Sequence, residues 1–166
     1  MKYTKIINAL LVISAINLTL MVPGGFVESR DFSHIDPLIL GGFNIFLTTL
    51  GMISLFLAYF IYKNQKWAVW SAFLCGLSYF IVYTIDLAEL FPQSPTPMPI
   101  LLFMLEILGT VLSIPLMYFA AKQTKLFDHD NQKVLLNKSL YWLISLAILI
   151  GLAIIIFATK AAMSGK

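Results

Sequence analysis

Residues 99–121 read PILLFMLEILGTVLSIPLMYFAA, and this stretch decides the class of fold. Glu106 is its one charged residue. A helix needs about 20 apolar residues to cross about 30 Å of hydrocarbon, because each residue adds about 1.5 Å. The stretch is therefore predicted to be a transmembrane helix.

Four other blocks of similar composition lie along the chain, at residues 6–22, 38–62, 67–85 and 139–158. Pro23 and two glycines follow the first block, and three prolines lie between the third block and residues 99–121, which themselves begin with Pro99, so helices are expected to stop there. We predict an all-α integral membrane protein, a single domain that is a bundle of five transmembrane helices. Its predicted outer loops are 23–37 and 86–98, and its predicted inner loops are 63–66 and 122–138.

The overall composition agrees with a lipid environment and excludes several classes of function. Hydrophobic residues make up 60% of the 166 residues and charged residues 11%, against about 45–50% and about 25% in soluble domains. The net charge of +3 comes from scattered lysines and forms no basic stripe, which argues against nucleic-acid binding. The single cysteine excludes an intrachain disulfide and a cysteine-cluster metal site.

The basic residues predict the orientation of the bundle. Eight lie on one side of the predicted spans: Lys2, Lys5, Lys63, Lys66, Lys122, Lys125, Lys133 and Lys138. Three lie on the other side: Arg30, Lys160 and Lys166. Cytoplasmic loops carry the excess of lysine and arginine. The amino terminus is therefore predicted to be cytoplasmic and the carboxyl terminus outside, in a multi-pass protein of the plasma (cell inner) membrane.

The first block has an alternative interpretation as a secretory signal peptide, because Lys2 and Lys5 precede an apolar run that ends in small residues. Its apolar run is long for such a signal, and no Ala-x-Ala cleavage pattern follows it. We therefore expect it to be a membrane span.

Glu106 is the most informative residue inside a predicted span, because an ionised carboxylate is costly in hydrocarbon and must face protein or water. Gly109, Thr110 and Ser113 follow it at the helical spacings i+3, i+4 and i+7, which places the four on one face. This small, polar face is predicted to pack against other helices.

Other polar residues are predicted to lie in the outer half of their spans. Asn17, Asn44, Asp86 and Glu106 all have this depth, although neighbouring spans run in opposite directions. We expect them to share a polar pocket that opens outward, with Thr48, Tyr79, Tyr83 and Thr110 as further ligand-binding residues.

Each of these residues also has a purely structural explanation. In this explanation, Glu106 is a carboxylate that holds the bundle together, and Asp86 is a boundary residue that faces water. Asn17, Asn44 and Thr48 form hydrogen bonds between helices.

The first outer loop is predicted to cover the pocket through Glu28, Arg30, Asp31 and His34. Arg30 is expected to pair with Glu106 or Asp86, because pairing lowers the cost of burying either carboxylate. His34 and its acidic neighbours are ligand types suited to zinc, but one histidine is weak support. We predict neither a metal site nor a cofactor.

The sequence favours a binding protein for a small amphipathic or cationic ligand, held by carboxylates and an aromatic wall. The alternative is an accessory or assembly subunit that packs through its polar helix faces against a membrane-protein partner or a second copy. An enzyme ranks third, because the carboxylates lack further residues of a catalytic set, and no catalytic residue is predicted.

Overall fold

The computed structural model describes residues 2–126 and 138–164, and side chains except those of residues 138–140. These residues form five helices: α1 (Thr4–Leu20), α2 (Pro37–Tyr62), α3 (Lys66–Leu87), α4 (Ile100–Lys125) and α5 (Lys138–Met163). All-helical architecture is thus confirmed.

Four of these helices are long and apolar enough to cross a membrane, namely α2, α3, α4 and α5. α1 is also apolar but has 17 residues, which gives a rise of about 26 Å. Its length lies at the lower limit of transmembrane helices. The predicted multi-span membrane architecture is confirmed for the four long helices.

The helix ends differ from the predicted span ends by a few residues. α1 ends at Leu20, before Pro23, and α4 continues four residues beyond the predicted boundary, to Lys125. Asp86 was assigned to an outer loop but lies in the last turn of α3. Hydropathy marks where apolar side chains end, whereas backbone hydrogen bonding continues through helix-compatible polar residues. Most of the predicted inner loop 122–138 lies outside the described residues.

The beginning of α2 has a clear local cause. Asp36 caps the helix, because its carboxylate accepts a hydrogen bond of 2.8 Å from the backbone N–H of Leu38. Pro37 occupies the first helical position, where no intrahelical donor is needed.

The five helices form a bundle in which α3 and α4 are closely packed. Gly109 of α4 lies against the ring of Tyr83, and Gly76 of α3 lies against Leu116 and Met117. A side chain at either glycine would meet these neighbours, so the small residues permit the close approach. α1 packs against α2 and α4.

α5 lies at the edge of the bundle. Among the described helices it contacts α2 alone, where Gly151 meets Met52 and Thr48. Near its carboxyl end, the backbone carbonyl of Ala162 accepts a hydrogen bond of 3.2 Å from the N–H of Phe32.

Polar side chains are buried in the bundle while large apolar ones cover its outside. Ser14, Asn17, Ser54 and Glu106 are at most 3% exposed. Every helix carries exposed isoleucines and leucines, and α2, α4 and α5 also carry exposed phenylalanines. This distribution is what a hydrocarbon solvent favours, because polar groups there need protein partners.

Candidate functional site

A buried ionic cluster lies at the end of the bundle where residues 21–36 and 88–99 connect the helices, which we call the Arg30 end. Arg30 contacts three carboxylates, and we call the four residues the Arg30 cluster: Glu28, Arg30, Asp86 and Glu106. They come from the first connection and from two helices, because α3 ends and α4 begins at this end. Their side chains are between 2% and 13% exposed.

Arg30 binds Asp86 with both terminal nitrogens of its guanidinium group. Nη1 donates to Oδ1 at 2.8 Å and Nη2 to Oδ2 at 2.9 Å. This two-point geometry matches the planar fork of arginine to the carboxylate. The sequence predicted that Arg30 would pair with Asp86 or Glu106, and the pairing with Asp86 is confirmed.

Glu28 holds the other edge of the same guanidinium. Arg30 Nε donates to Glu28 Oε1 at 3.0 Å, and Nη2 donates to Oε2 at 2.6 Å. The Phe32 ring lies 5.1 Å from the guanidinium carbon, within the range of a cation–π contact. Burial alone lowers the pKa of Arg30, but hydrogen bonds to Asp86 and Glu28 outweigh burial and raise this pKa above its ordinary value. The guanidinium is therefore a fixed positive charge.

Glu106 is the least satisfied member of the cluster. Its Oε1 lies 3.9 Å from Arg30 Nη2, which is an ionic contact but too long for a hydrogen bond. Its Oε2 is buried and has no hydrogen-bond partner among the described residues. A buried acceptor without a donor is rare and costly in a folded protein. The Oε2 atom is thus an acceptor that no donor among the described residues satisfies.

Glu106 also lines a cavity of about 310 Å³ beside the cluster. The other three cluster residues lie on its wall as well. The cavity extends along α2 from Leu40 to Leu55, about 22 Å at the helical rise. Apolar side chains from α1, α2, α5 and the connection after α1 form most of this length: Leu18, Val22, Leu47, Ile150 and Ile154.

The cavity is a groove between two helices that do not touch each other. α1 and α5 both pack against α2, but no contact joins α1 to α5 within the described residues. The floor of the groove is α2, where Gly51 lies beside Leu18 of α1. The groove therefore combines an apolar length with one strongly polar end.

A second cavity, of about 230 Å³, lies on the other side of Arg30. Polar residues line much of it, including Glu89, Gln93 and Thr96. Arg30 and Pro92 line both cavities. Arg30 is thus shared by the groove and the second cavity.

The structure brings five of the eight predicted ligand-binding residues to the groove: Asn44, Thr48, Tyr83, Asp86 and Glu106. Asn44 also donates from Nδ2 to the Thr159 hydroxyl at 3.1 Å, which joins α2 to α5. Of the predicted covering residues, Glu28 and Arg30 line the groove. Whether these residues bind a ligand stays a prediction.

The other three predicted ligand-binding residues make contacts away from the groove wall. Asn17 donates from Nδ2 to the Leu105 carbonyl at 3.0 Å. Tyr79 shares a hydrogen bond of 2.9 Å with Ser54. Thr110 donates to the Glu106 carbonyl at 2.8 Å. These contacts are those of interhelical and intrahelical structure.

Asp31 and His34, predicted to cover the pocket, lie toward the surface and are absent from the groove wall. The Asp31 carboxylate accepts a hydrogen bond of 2.8 Å from the Ser33 backbone N–H, which lowers the pKa of Asp31. The Asp31 carbonyl accepts a bond of 3.0 Å from Ser94. Asp31 thus joins the connection 21–36 to the connection 88–99.

Several groove residues carried no functional signal in the sequence. Phe32 contacts the guanidinium, and α5 supplies Ala147, Ile150 and Ile154 to the wall. Apolar residues within apolar blocks cannot be told from lipid-facing ones by composition.

The helices and the groove define a helical, multi-pass membrane protein. Residues 3–135 match a protein family described as a domain of unknown function (DUF8051), and the chain belongs to that family. No curated protein and no solved structure matches the chain.

Proposed function

We propose that this protein binds a small amphipathic or cationic ligand in the groove, with the polar part of the ligand at Glu106. One observation carries this proposal: Glu106 Oε2 is buried, has no hydrogen-bond partner among the described residues, and belongs to a residue that lines an apolar cavity. The volume of about 310 Å³ lies at the lower end of small-molecule sites.

The charges of the Arg30 cluster favour a cationic or hydrogen-bond-donating head group. Three carboxylates surround one guanidinium, so the cluster is net negative whenever the carboxylates are ionised. A positive charge beside Glu106 offsets this excess in surroundings of low dielectric constant, where charge interactions are strong. An anionic head group would be repelled.

We propose further that α1 crosses the membrane together with the four longer helices, with the amino terminus in the cytoplasm. The Arg30 end and the carboxyl terminus then lie outside, and the protein resides in the plasma (cell inner) membrane. The excess of lysines near the opposite end supports this orientation.

Cysteine labelling tests the orientation. In a background whose native cysteine is replaced by alanine, Lys63→Cys is expected to resist a membrane-impermeant maleimide added to intact cells. Gln93→Cys, in an exposed position on the other end, is expected to react. The reverse pattern overturns the orientation without touching the groove itself.

Ligand binding is tested by thermal stabilisation of the purified chain in detergent, screened with amphipathic amines and neutral amphiphiles. Glu106→Gln keeps the shape of the side chain and replaces its carboxyl group by an amide that cannot ionise, and it should lose most of the ligand-induced rise in Tm. The matched control is Glu89→Gln, which changes an exposed carboxylate outside the groove and should keep the full rise. A folded Glu106→Gln protein with unchanged ligand responses would refute the proposal.

The alternative function as an accessory subunit has less support. It requires polar helix faces for a partner, but Asn17, Asn44, Ser54 and Glu106 are buried within this chain. Repeated recovery of a stoichiometric partner in mild detergent would favour that alternative.

A further inference from the structure

We infer that the ligand of the groove is a single-chain amphiphile with a primary ammonium head, which donates an N–H hydrogen bond to Glu106 Oε2 and lays its hydrocarbon chain along α2. This inference rests on the proposed function and specifies its ligand class. It depends on three features of the groove. These are the carboxylates to which Arg30 donates, the shape of the apolar part, and the acceptor oxygen of Glu106 that lacks a donor.

The first feature is that the guanidinium hydrogen bonds of Arg30 within the described residues go to Glu28 and Asp86, and none goes to Glu106. Nε bonds Glu28, Nη1 bonds Asp86, and Nη2 bonds both carboxylates. The contact of 3.9 Å to Glu106 is beyond hydrogen-bonding distance. Arg30 therefore attracts Glu106 electrostatically but does not supply the hydrogen bond that its outer oxygen needs.

The second feature is the shape of the apolar part, which is long and narrow. It follows α2 for about 22 Å between α1 and α5. Its volume of about 310 Å³ suits one extended chain better than a bulky ring system or a lipid with two chains. Because α1 and α5 do not meet within the described residues, a chain that starts in the bilayer can slide in sideways.

The third feature selects the head group. An ammonium with N–H bonds is a donor and a cation at neutral pH, since alkyl amines titrate near the pKa of lysine, about 10.4. It can give Glu106 Oε2 a charge-assisted hydrogen bond. A trimethylammonium head has the same charge but no N–H, and a hydroxyl head has a donor but no charge.

The experiment compares four amphiphiles with one chain length on the purified full chain in maltoside micelles at neutral pH. Dodecylamine, dodecyltrimethylammonium, dodecanol and dodecanoate are added at equal mole fractions, and Tm is recorded. Dodecylamine is expected to give the largest rise. Glu106→Gln should weaken its apparent affinity by about tenfold or more, because a hydrogen bond to a charged group is lost. Glu89→Gln should leave it unchanged.

A second pair of variants tests the groove even if Glu106→Gln does not fold. Gly51→Leu places a side chain in the groove, where a Cβ would meet Leu18 at an ordinary contact distance of 3.6 Å, and should abolish the rise with dodecylamine. Its matched control is Gly42→Leu on the same helix, where a Cβ meets nothing within 4 Å. Binding that survives Gly51→Leu would overturn the placement of the chain.

The outcomes separate this inference from the proposed function. Equal rises with dodecylamine and dodecyltrimethylammonium, both lost in Glu106→Gln, would overturn the need for an N–H donor and leave the proposed function standing. A rise with dodecanol alone would overturn the ammonium head but keep an amphipathic ligand. Equal rises with all four compounds that Glu106→Gln leaves unchanged, or no rise with any, would overturn both.

Discussion

Replacing Arg30 by methionine is expected to destabilise the bundle strongly, because the substitution leaves buried carboxylates without their cation. Glu28 and Asp86 are 5% and 13% exposed and receive all the guanidinium hydrogen bonds. Removing one partner of a buried ion pair costs about 3–5 kcal/mol, since the remaining charge is uncompensated. For a chain of this size, that loss lowers Tm by about 6–20 °C.

The assay is thermal unfolding in detergent, with Lys160→Met as the matched control, because Lys160 is an exposed basic residue on α5. That variant should change stability by no more than about 0.5 kcal/mol. Combining Arg30→Met with Glu28→Gln and Asp86→Asn removes two of the three carboxylates left without their cation and should recover part of the loss. A decrease in Tm of less than about 2 °C for Arg30→Met alone would refute the reasoning, because it would mean that water solvates the cluster.

Two further predictions concern packing and hydrogen bonding between helices. Gly109→Ala places a methyl group against the Tyr83 ring and should lower the free energy of unfolding by about 1–3 kcal/mol. Gly42→Ala, in open space, is the control and should be neutral or slightly stabilising. Equal effects of the two substitutions would contradict the close packing at Gly109. Ser54→Ala should lower the free energy of unfolding by about 0.6–1.7 kcal/mol, because the hydrogen bond to Tyr79 is lost. A double-mutant cycle with Tyr79→Phe should show a coupling energy between the two residues. Strictly additive effects would contradict the hydrogen bond.

The sequence predicted much of the fold because hydropathy is a local, nearly additive property. Each long apolar block is one helix in the structure, and the helix bounds differ from the predicted spans by a few residues. Glu106 and its i+3 and i+7 neighbours, Gly109 and Ser113, are buried as the helical spacing predicted. The sequence also predicted that Asn17, Asp86 and Glu106 lie toward the same end of the bundle, because successive helices alternate in direction.

The composition of the groove could not be predicted in the same way. The rotation of each helix about its axis determines that Tyr83 lines the groove while Tyr79, one turn earlier, bonds Ser54. The sequence also left open whether Arg30 pairs with Asp86 or with Glu106. Both choices depend on packing between residues far apart in the chain, such as Arg30 and Asp86.

The sequence by itself determined that the chain is a set of apolar helices in lipid with a few polar groups toward one end, because the cost of placing a side chain in hydrocarbon depends mainly on that side chain. Only the tertiary structure decided that all three guanidinium nitrogens of Arg30 donate to Glu28 or Asp86, and that Glu106, which lines the apolar groove, has an acceptor oxygen without a partner among the described residues. The physical reason is that a guanidinium has a limited number of donors, and the packed geometry of the helices determines which carboxylates receive them.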